Sequence, residues 1–159
     1  GLQAEPAVSP DGSQVAFVSD EGGTPHVWVV DRDGASSLQL TSGTQLDRDP
    51  AWLPDSSAVL FTSARDGRSG IWRVTRLGGA ESLVVANAAD PAVSPDGTLL
   101  AFVRETSPAG DHRVLVAPLA DAARATAVTT DNDGLWDHRQ PAWSPDGRWL
   151  CYRAPALAA

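Results

Sequence analysis

Four copies of one short motif run along the chain, and their spacing limits the fold more than any other feature. The copies share Pro-Ala and, after two intervening residues, Pro-Asp, and they begin at Pro6, Pro50, Pro91 and Pro141. The leading prolines are 44, 41 and 50 residues apart, a period typical of propeller blades rather than of the shorter helical or leucine-rich solenoids. The sequence therefore predicts an all-β fold, a β-propeller of four-stranded antiparallel blades.

Each copy encodes a tight turn between two strands. In the first copy, residues 9–12 read Ser-Pro-Asp-Gly, which matches a type I turn with proline at its second position. Residues 6–9 precede the turn as a first strand, and residues 14–19 follow it as a second. A third strand is predicted at 27–30, 71–74 and 114–116, and a fourth at 38–41, 82–85 and 126–129.

Positions that coincide between the copies predict the packing side chains. Val15 and Phe17 have counterparts in every later copy, namely Val59 and Phe61, Leu100 and Phe102, and Leu150 and Tyr152. The one cysteine, Cys151, occupies the slot of Ala16, Leu60 and Ala101. We therefore expect a small buried thiol there rather than a nucleophile or a metal ligand.

The motif resembles a known family of repeats. The fourth copy reads Pro-Ala-Trp-Ser-Pro-Asp-Gly-Arg from Pro141, with an aromatic residue at Tyr152, and the second copy continues into Ile-Trp-Arg-Val from Ile71. These features are similar to the WD40-like, Pro-Asp type of β-propeller repeat, as in TolB and the propeller domains of prolyl oligopeptidase-like peptidases. The resemblance implies a propeller over nearly the whole chain. It does not select one function, because the same blades serve as binding scaffolds and as peptidase lids.

The copies are predicted to form a single propeller segment over residues 1–159, with blades at about 1–41, 42–85 and 86–130 and a half blade at 131–159. A closed propeller has at least four blades. We therefore expect a piece of a longer propeller, or a partner segment that covers the open edges. A homo-oligomer in which the segment stacks on another copy is the alternative.

Charge and hydropathy exclude two classes of partner. The formal net charge is −8, and there is no lysine, whereas binding to nucleic acid depends on clustered Lys and Arg. No apolar run approaches the roughly 18 residues that cross a bilayer, and the first residues do not read as a signal peptide. We expect a basic protein or peptide as partner, no nucleic acid and no membrane insertion. The sequence indicates no particular compartment.

Loop positions concentrate the acidic residues on one face of the propeller. Because neighbouring strands are antiparallel, the second-to-third loops (19–26, 63–70, 104–113) and the connections between blades (2–5, 42–49, 86–90, 131–140) share one face, here called the variable face. It holds twelve acidic residues and six arginines, which is −6 of the net charge of −8. Such a surface attracts cationic ligands, although a merely solubilising surface has the same composition.

Two sets of residues on the variable face are candidate binding sites. One residue directly before each leading proline is expected at the mouth of the central channel, and this set, here called the channel mouth, is Glu5, Asp49, Asp90 and Gln140. Its carboxylates would hold a cation or a peptide amino terminus, because a ligand relieves their repulsion; capping of strand ends is the alternative. The second set is Trp136, Asp137, His138 and Arg139, an aromatic side chain beside mixed charges. Trp136 could instead be buried between blades.

Metal binding and catalysis are not predicted. Asp131 and Asp133 begin a segment like a calcium loop, but no Glu follows at its twelfth place, so we expect ordinary aspartate turns there and no cofactor. The three histidines, His26, His112 and His138, have no ligand-pair spacing and are expected to be exposed loop residues. The sequence contains neither Gly-x-Ser-x-Gly nor Ser-x-x-Lys.

The functional expectation is a non-catalytic scaffold that binds a protein or peptide through the variable face. The first alternative is a substrate-gating propeller of a prolyl oligopeptidase-like serine peptidase whose catalytic domain lies outside this chain. The second is a repeat segment kept only for assembly.

Overall fold

The chain folds into four β-sheets, which the computed structural model describes over residues 1, 3–65, 67–106, 111–129 and 137–154. The first blade contains β1 (Gln3–Val8), β2 (Gln14–Ser19), β3 (His26–Asp31) and β4 (Ser37–Gln39). The second contains β5 (Asp47–Trp52), β6 (Ala58–Arg65), β7 (Arg68–Thr75) and β8 (Ser82–Ala86). The third contains β9 (Ala89–Val93), β10 (Leu99–Glu105), β11 (His112–Pro118) and β12 (Thr126–Ala127), and a half blade contains β13 (Arg139–Trp143) and β14 (Leu150–Arg153).

The strand order is that of a propeller. In each full blade the four strands pair antiparallel in chain order, and the half blade is a two-stranded hairpin. The first strands β1, β5, β9 and β13 lie beside one another in succession. In the described part of the chain, the only helical element is a 3-10 turn at Ala122–Arg124. The all-β propeller prediction is confirmed, and the blades form an open arc rather than a closed ring.

The Pro-Asp turns have the bonds that the motif predicts. In the first turn, Gly12 N–H donates to Ser9 O at 2.8 Å, and the Asp11 carboxylate accepts hydrogen bonds from the Ser9 hydroxyl at 2.7 Å and from Ser13 N–H at 2.9 Å. These bonds, that of Ser9 foremost, lower the pKa of Asp11 to about 2. The second turn has Ser56 in place of glycine, with φ at 57°. The Ser56 hydroxyl accepts a bond from Asp11 N–H at 3.1 Å, which joins the turns of two blades.

The hydrophobic core lies between the blades. At the first junction, Ala16, Val27 and Val29 pack against the second-blade residues Val59, Phe61, Trp72 and Val74. At the second junction, Leu60 and Ile71 pack against Leu100, Phe102 and Leu115 of the third blade. A tryptophan adds a hydrogen bond at two junctions: Trp52 Nε1 donates to Ala7 O at 2.9 Å, and Trp143 Nε1 donates to Ala92 O at 3.1 Å. The second junction has Val93 at this position instead.

The outer faces of the first blade and the half blade leave packing positions uncovered. Phe17 and Trp28, the counterparts of Phe61 and Trp72, line an open pocket of about 470 Å³ on the first blade. Cys151 at the other end is exposed, so the prediction of a buried thiol is wrong. Its slot faces a following blade, and no further strand covers it in the described part of the chain.

Several strands extend beyond their predicted ends. The first strands begin before the leading proline, at Gln3 in the first blade and at Asp47 in the second. Most of the predicted loop at 63–70 belongs to paired strands, whose pairing extends as far as Arg65 opposite Arg68. The fourth strands of the first and third blades are shorter than predicted, at 37–39 and 126–127. Much of the variable face is therefore ordered strand rather than free loop.

Candidate functional site

All four channel-mouth residues lie inside first strands, where the sequence predicts connections between blades. Each lies at a β-bulge, a point at which the pairing of the first and second strands shifts register. Their φ values are positive: 56° for Glu5, 54° for Asp49, 52° for Asp90 and 54° for Gln140. The following proline has no N–H to donate to the ladder, so the residue before it can leave the strand conformation and form the bulge.

Hydrogen bonds connect the channel-mouth residues of successive blades. The Glu5 carboxylate accepts a bond from Asp49 N–H at 2.6 Å, and the Asp90 carboxylate accepts one from Gln140 N–H at 3.0 Å. Between these two junctions, Asp90 N–H donates instead to the Thr62 hydroxyl at 3.1 Å. The carboxylates of Glu5 and Asp90 therefore join blades, whereas that of Asp49 does not.

Asp49 has an unusual electrostatic environment. Its Oδ2 atom is buried and accepts no hydrogen bond from a described residue, although Arg48 Nε lies 3.5 Å away. Burial, reinforced by the neighbouring carboxylates of Asp90 and Glu5, raises the pKa of Asp49 to about 6. Asp49, Asp90 and Gln140 line a small pocket of about 120 Å³ together with their prolines. The channel mouth thus holds one carboxylate that is largely ionised at neutral pH and whose Oδ2 atom has only the loose contact with Arg48.

The second predicted cluster is largely engaged in the fold. Trp136 lies outside the described residues. His138 is fully buried, and its ring contacts Tyr152 edge-on at a centroid distance of 5.4 Å. Asp137 Oδ1 accepts a bond from Arg139 Nε at 2.8 Å and lies 3.1 Å from His112 Nδ1. The expectation that His138 is an exposed loop residue is wrong, because the half blade packs over it.

The sequence reasoning missed a buried polar network at the first junction. Asp47 is fully buried; its Oδ2 atom accepts hydrogen bonds from the Thr41 hydroxyl at 2.6 Å and from Arg65 Nη2 at 2.5 Å. His26 Nδ1 lies 2.9 Å from the same oxygen, and His26 is buried too. Asp47 and His26 are therefore structural, and neither is available on the variable face.

A signal for this network exists in the repeat register. Asp47, Ala88 and His138 share the slot two residues before the channel mouth, and His26, Gly70 and Arg113 share one slot of the third strand. The first junction pairs His26 with Asp47, and the third places Arg113 Nη1 3.3 Å from His138 Nδ1. Only the second junction has two small residues. Comparing slots across blades, rather than reading each loop alone, would have paired these side chains.

No metal centre is formed within the ranges that the structure describes, where no three His, Cys, Asp or Glu side chains are grouped to hold an ion. Asp131 and Asp133 lie outside these ranges. The similar segment at 31–34 is a turn in which Asp33 Oδ1 accepts a bond from Ala35 N–H at 2.9 Å. Across the described residues, no helix has the length and apolar character needed to cross a bilayer.

These blades and their acidic channel mouth define a β-propeller of the Pro-Asp repeat type. The family model of the TolB β-propeller domain matches residues 1–156, and the chain belongs to this family. A stretch of 39 residues is 46% identical to the Tol-Pal system protein TolB of Anaeromyxobacter dehalogenans, covering 24% of this chain and 9% of that protein. The family predicted from the repeat is thereby confirmed.

Solved structures show the same fold in proteins of different activity. TolB of Acinetobacter baumannii superposes with a TM-score of 0.74 at 24% identity, over 94% of this chain and 37% of its own. A puromycin-hydrolyzing peptidase of Mycobacterium tuberculosis gives 0.66 at 20% identity, over 89% of this chain and 24% of its own. The chain spans well under two thirds of these relatives. At such identities the likeness shows the fold alone.

Proposed function

We propose that this propeller is a non-catalytic scaffold that binds a basic segment of a protein or peptide at the channel mouth. The observation that carries the proposal is the Asp49 carboxylate, which is held near Asp90 and Glu5 and whose buried Oδ2 atom has no hydrogen-bonding partner among the described residues, although the Thr62 hydroxyl bonds the same carboxylate. A ligand ammonium or guanidinium group would supply the missing donor and offset the repulsion between these carboxylates.

The β-sheets also support this role, because they hold the channel-mouth residues in fixed positions. The channel-mouth residues are held by backbone bulges and inter-blade hydrogen bonds, so their positions depend on the sheets rather than on mobile loops. A preformed site loses less conformational freedom on binding. Because the acidic residues of the variable face outnumber its arginines, the face would also attract a basic ligand over a longer distance.

The test is the affinity of a fluorescein-labelled, lysine-containing peptide, measured by fluorescence anisotropy. Asp49→Asn keeps the shape of the side chain and does not remove an inter-blade hydrogen bond, so it should weaken binding about tenfold through loss of the charged contact. Asp33→Asn, on the opposite face, is the matched control because asparagine can keep the Asp33 turn bond. Equal affinity of the wild type and Asp49→Asn would contradict the proposal.

Acidification provides an independent measurement. Because the pKa of Asp49 is raised to about 6, its carboxylate loses its charge as the pH falls through that value. The wild-type affinity for the lysine peptide should therefore decrease between about pH 7 and pH 5, and the affinity of Asp49→Asn should be nearly constant there. A parallel decrease in both proteins would assign the effect to other groups.

A further inference from the structure

A groove runs across the variable face beside the channel mouth. It consists of two adjoining pockets of about 370 and 300 Å³, which share the side chains of Arg48, Thr62 and Ser69. The larger pocket extends along the second blade to Leu46, whose side chain is exposed. The smaller extends over Ala89 of the third blade to Arg139 of the half blade. The groove therefore crosses three blades.

The guanidinium groups in the groove arise from the repeat register. Arg48, Ala89 and Arg139 occupy one slot, directly before the channel-mouth residues of successive blades. The small Ala89 leaves space between the two arginines, and all three residues line the smaller pocket. Arg139 is bound to Asp137 through its Nε atom, so its charge is largely offset. Arg48 is different.

Arg48 has capacity for a ligand. Its side chain is 59% exposed, and its contact with Asp49 is a loose one of 3.5 Å between Nε and Oδ2. It donates no hydrogen bond to any residue that the structure describes. A guanidinium group presents paired N–H donors that match a carboxylate. The carboxylate of Glu105, which also lines the smaller pocket, would repel an acidic ligand group and so favour its placement at Arg48.

An unsatisfied hydroxyl lines the larger pocket. Ser63 is only 4% exposed, and its Oγ atom is buried without a hydrogen-bonding partner among the described residues. Buried polar groups are rarely left unpaired in folded proteins. A peptide carbonyl or amide in the larger pocket would supply the missing bond.

We propose that this groove binds an extended peptide segment, with an acidic side chain of the ligand on Arg48 and a polar backbone group near Ser63. This inference rests on the proposed function, since the basic group of the same ligand would lie at the adjoining channel mouth. The recognised feature is then a lysine or arginine followed or preceded, within a few residues, by a carboxylate.

The experiment uses capped, labelled peptides that carry one lysine and one glutamate at different spacings, with glutamine in place of either charge as the reference. In the best-binding peptide, replacing glutamate by glutamine should weaken binding to the wild type about tenfold. Arg48→Gln should abolish this difference. Arg32→Gln, which removes an exposed arginine from the opposite face, should retain it. Ser63→Ala should weaken binding without lowering the thermal midpoint of the free protein.

The outcomes separate this inference from the function on which it rests. Two results would contradict the proposed groove site and still support the channel-mouth site. One is binding that depends on lysine but not on glutamate, and the other is an equal effect of Arg48→Gln and Arg32→Gln. Binding that depends on glutamate and Arg48 but not on lysine would support the groove site and contradict the channel-mouth site. Failure of every peptide to bind would overturn both.

Discussion

The Glu5 carboxylate of the first blade accepts a hydrogen bond of 2.6 Å from the backbone N–H of Asp49 in the second. The two residues occupy the same slot of successive repeats, and a matching bond joins Asp90 to Gln140 at 3.0 Å. An acidic side chain at this slot thus stabilises the β-bulge of the following blade through a hydrogen bond. Only the Asp49 carboxylate has no such bond.

Replacing Glu5 should therefore weaken the fold. Glu5→Ala leaves the Asp49 N–H without its acceptor and should lower the free energy of unfolding by about 0.5–1.5 kcal/mol. Glu5→Gln keeps an oxygen acceptor and should lose less. Urea unfolding of both variants measures the difference. If Glu5→Gln is as destabilised as Glu5→Ala, charge rather than the hydrogen bond is responsible.

Asp49 should make stability decrease as the pH rises. Its pKa of about 6 in the folded state exceeds the value of about 3.9 for an unfolded chain, so between about pH 4 and pH 6 the folded state binds more protons. The free energy of unfolding should fall across this window by at most about 3 kcal/mol and then level off. Asp49→Asn should lack this contribution.

The measurement is the difference between wild type and Asp49→Asn in urea unfolding at several pH values. Below about pH 3 the difference should be constant, because Asp49 is then protonated in both states. Asparagine also adopts positive φ readily, and this adds a stabilisation that does not depend on pH. A difference that is the same at pH 4 and pH 7 would show that Asp49 does not titrate abnormally.

The Asp47 network should be costly to break at one end. Asp47→Ala removes the buried partner of Arg65, whose side chain is 12% exposed; because Arg65 keeps its contact with Glu81 at 3.2 Å, the cost should be at most the roughly 3–5 kcal/mol typical of a broken buried pair. The second junction has Gly70 and Ala88 at the slots of His26 and Asp47. Joint replacement of His26, Asp47 and Arg65 by small or apolar residues should cost less than the sum of the single changes. Additive losses in thermal unfolding would contradict this account.

The uncovered first-blade face should make the chain self-associate. Phe17 and Trp28 are only partly buried there, and exposed apolar side chains that lie together promote contacts between molecules. Light scattering of this chain should show association that increases with concentration, and Phe17→Ser should reduce it. A wild-type chain that stays monomeric at high concentration would contradict the prediction.

Local features of the sequence predicted the local structure well. The Ser-Pro-Asp-Gly turns, the second strands and the blade period depend on residues close in the chain, and these predictions agree with the structure. The predicted burial of Cys151 was wrong because burial of that slot depends on a following blade. His26 and His138 were also expected to be exposed, yet they are buried by contacts between blades more than 20 residues apart in the chain.

The channel mouth was only partly predictable. The acid before proline indicated residues near a common axis, and the structure brings Asp49, Asp90 and Gln140 around one pocket. The bulge was missed because it depends on strand pairing that continues on both sides of the proline. Because the first strand pairs with the second strand there, the sequence of the first strand alone does not predict the bulge. Whether these residues bind a ligand stays a prediction.

Junctions with and without a tryptophan hydrogen bond alternate along the arc. Trp52 and Trp143 each bind the carbonyl of an alanine in the preceding sheet, and the junction between them uses Val93 instead. Recombination that duplicates or deletes one repeat would place two tryptophan junctions, or two valine junctions, next to each other. A change of two repeats, by contrast, would keep the alternation of junction types.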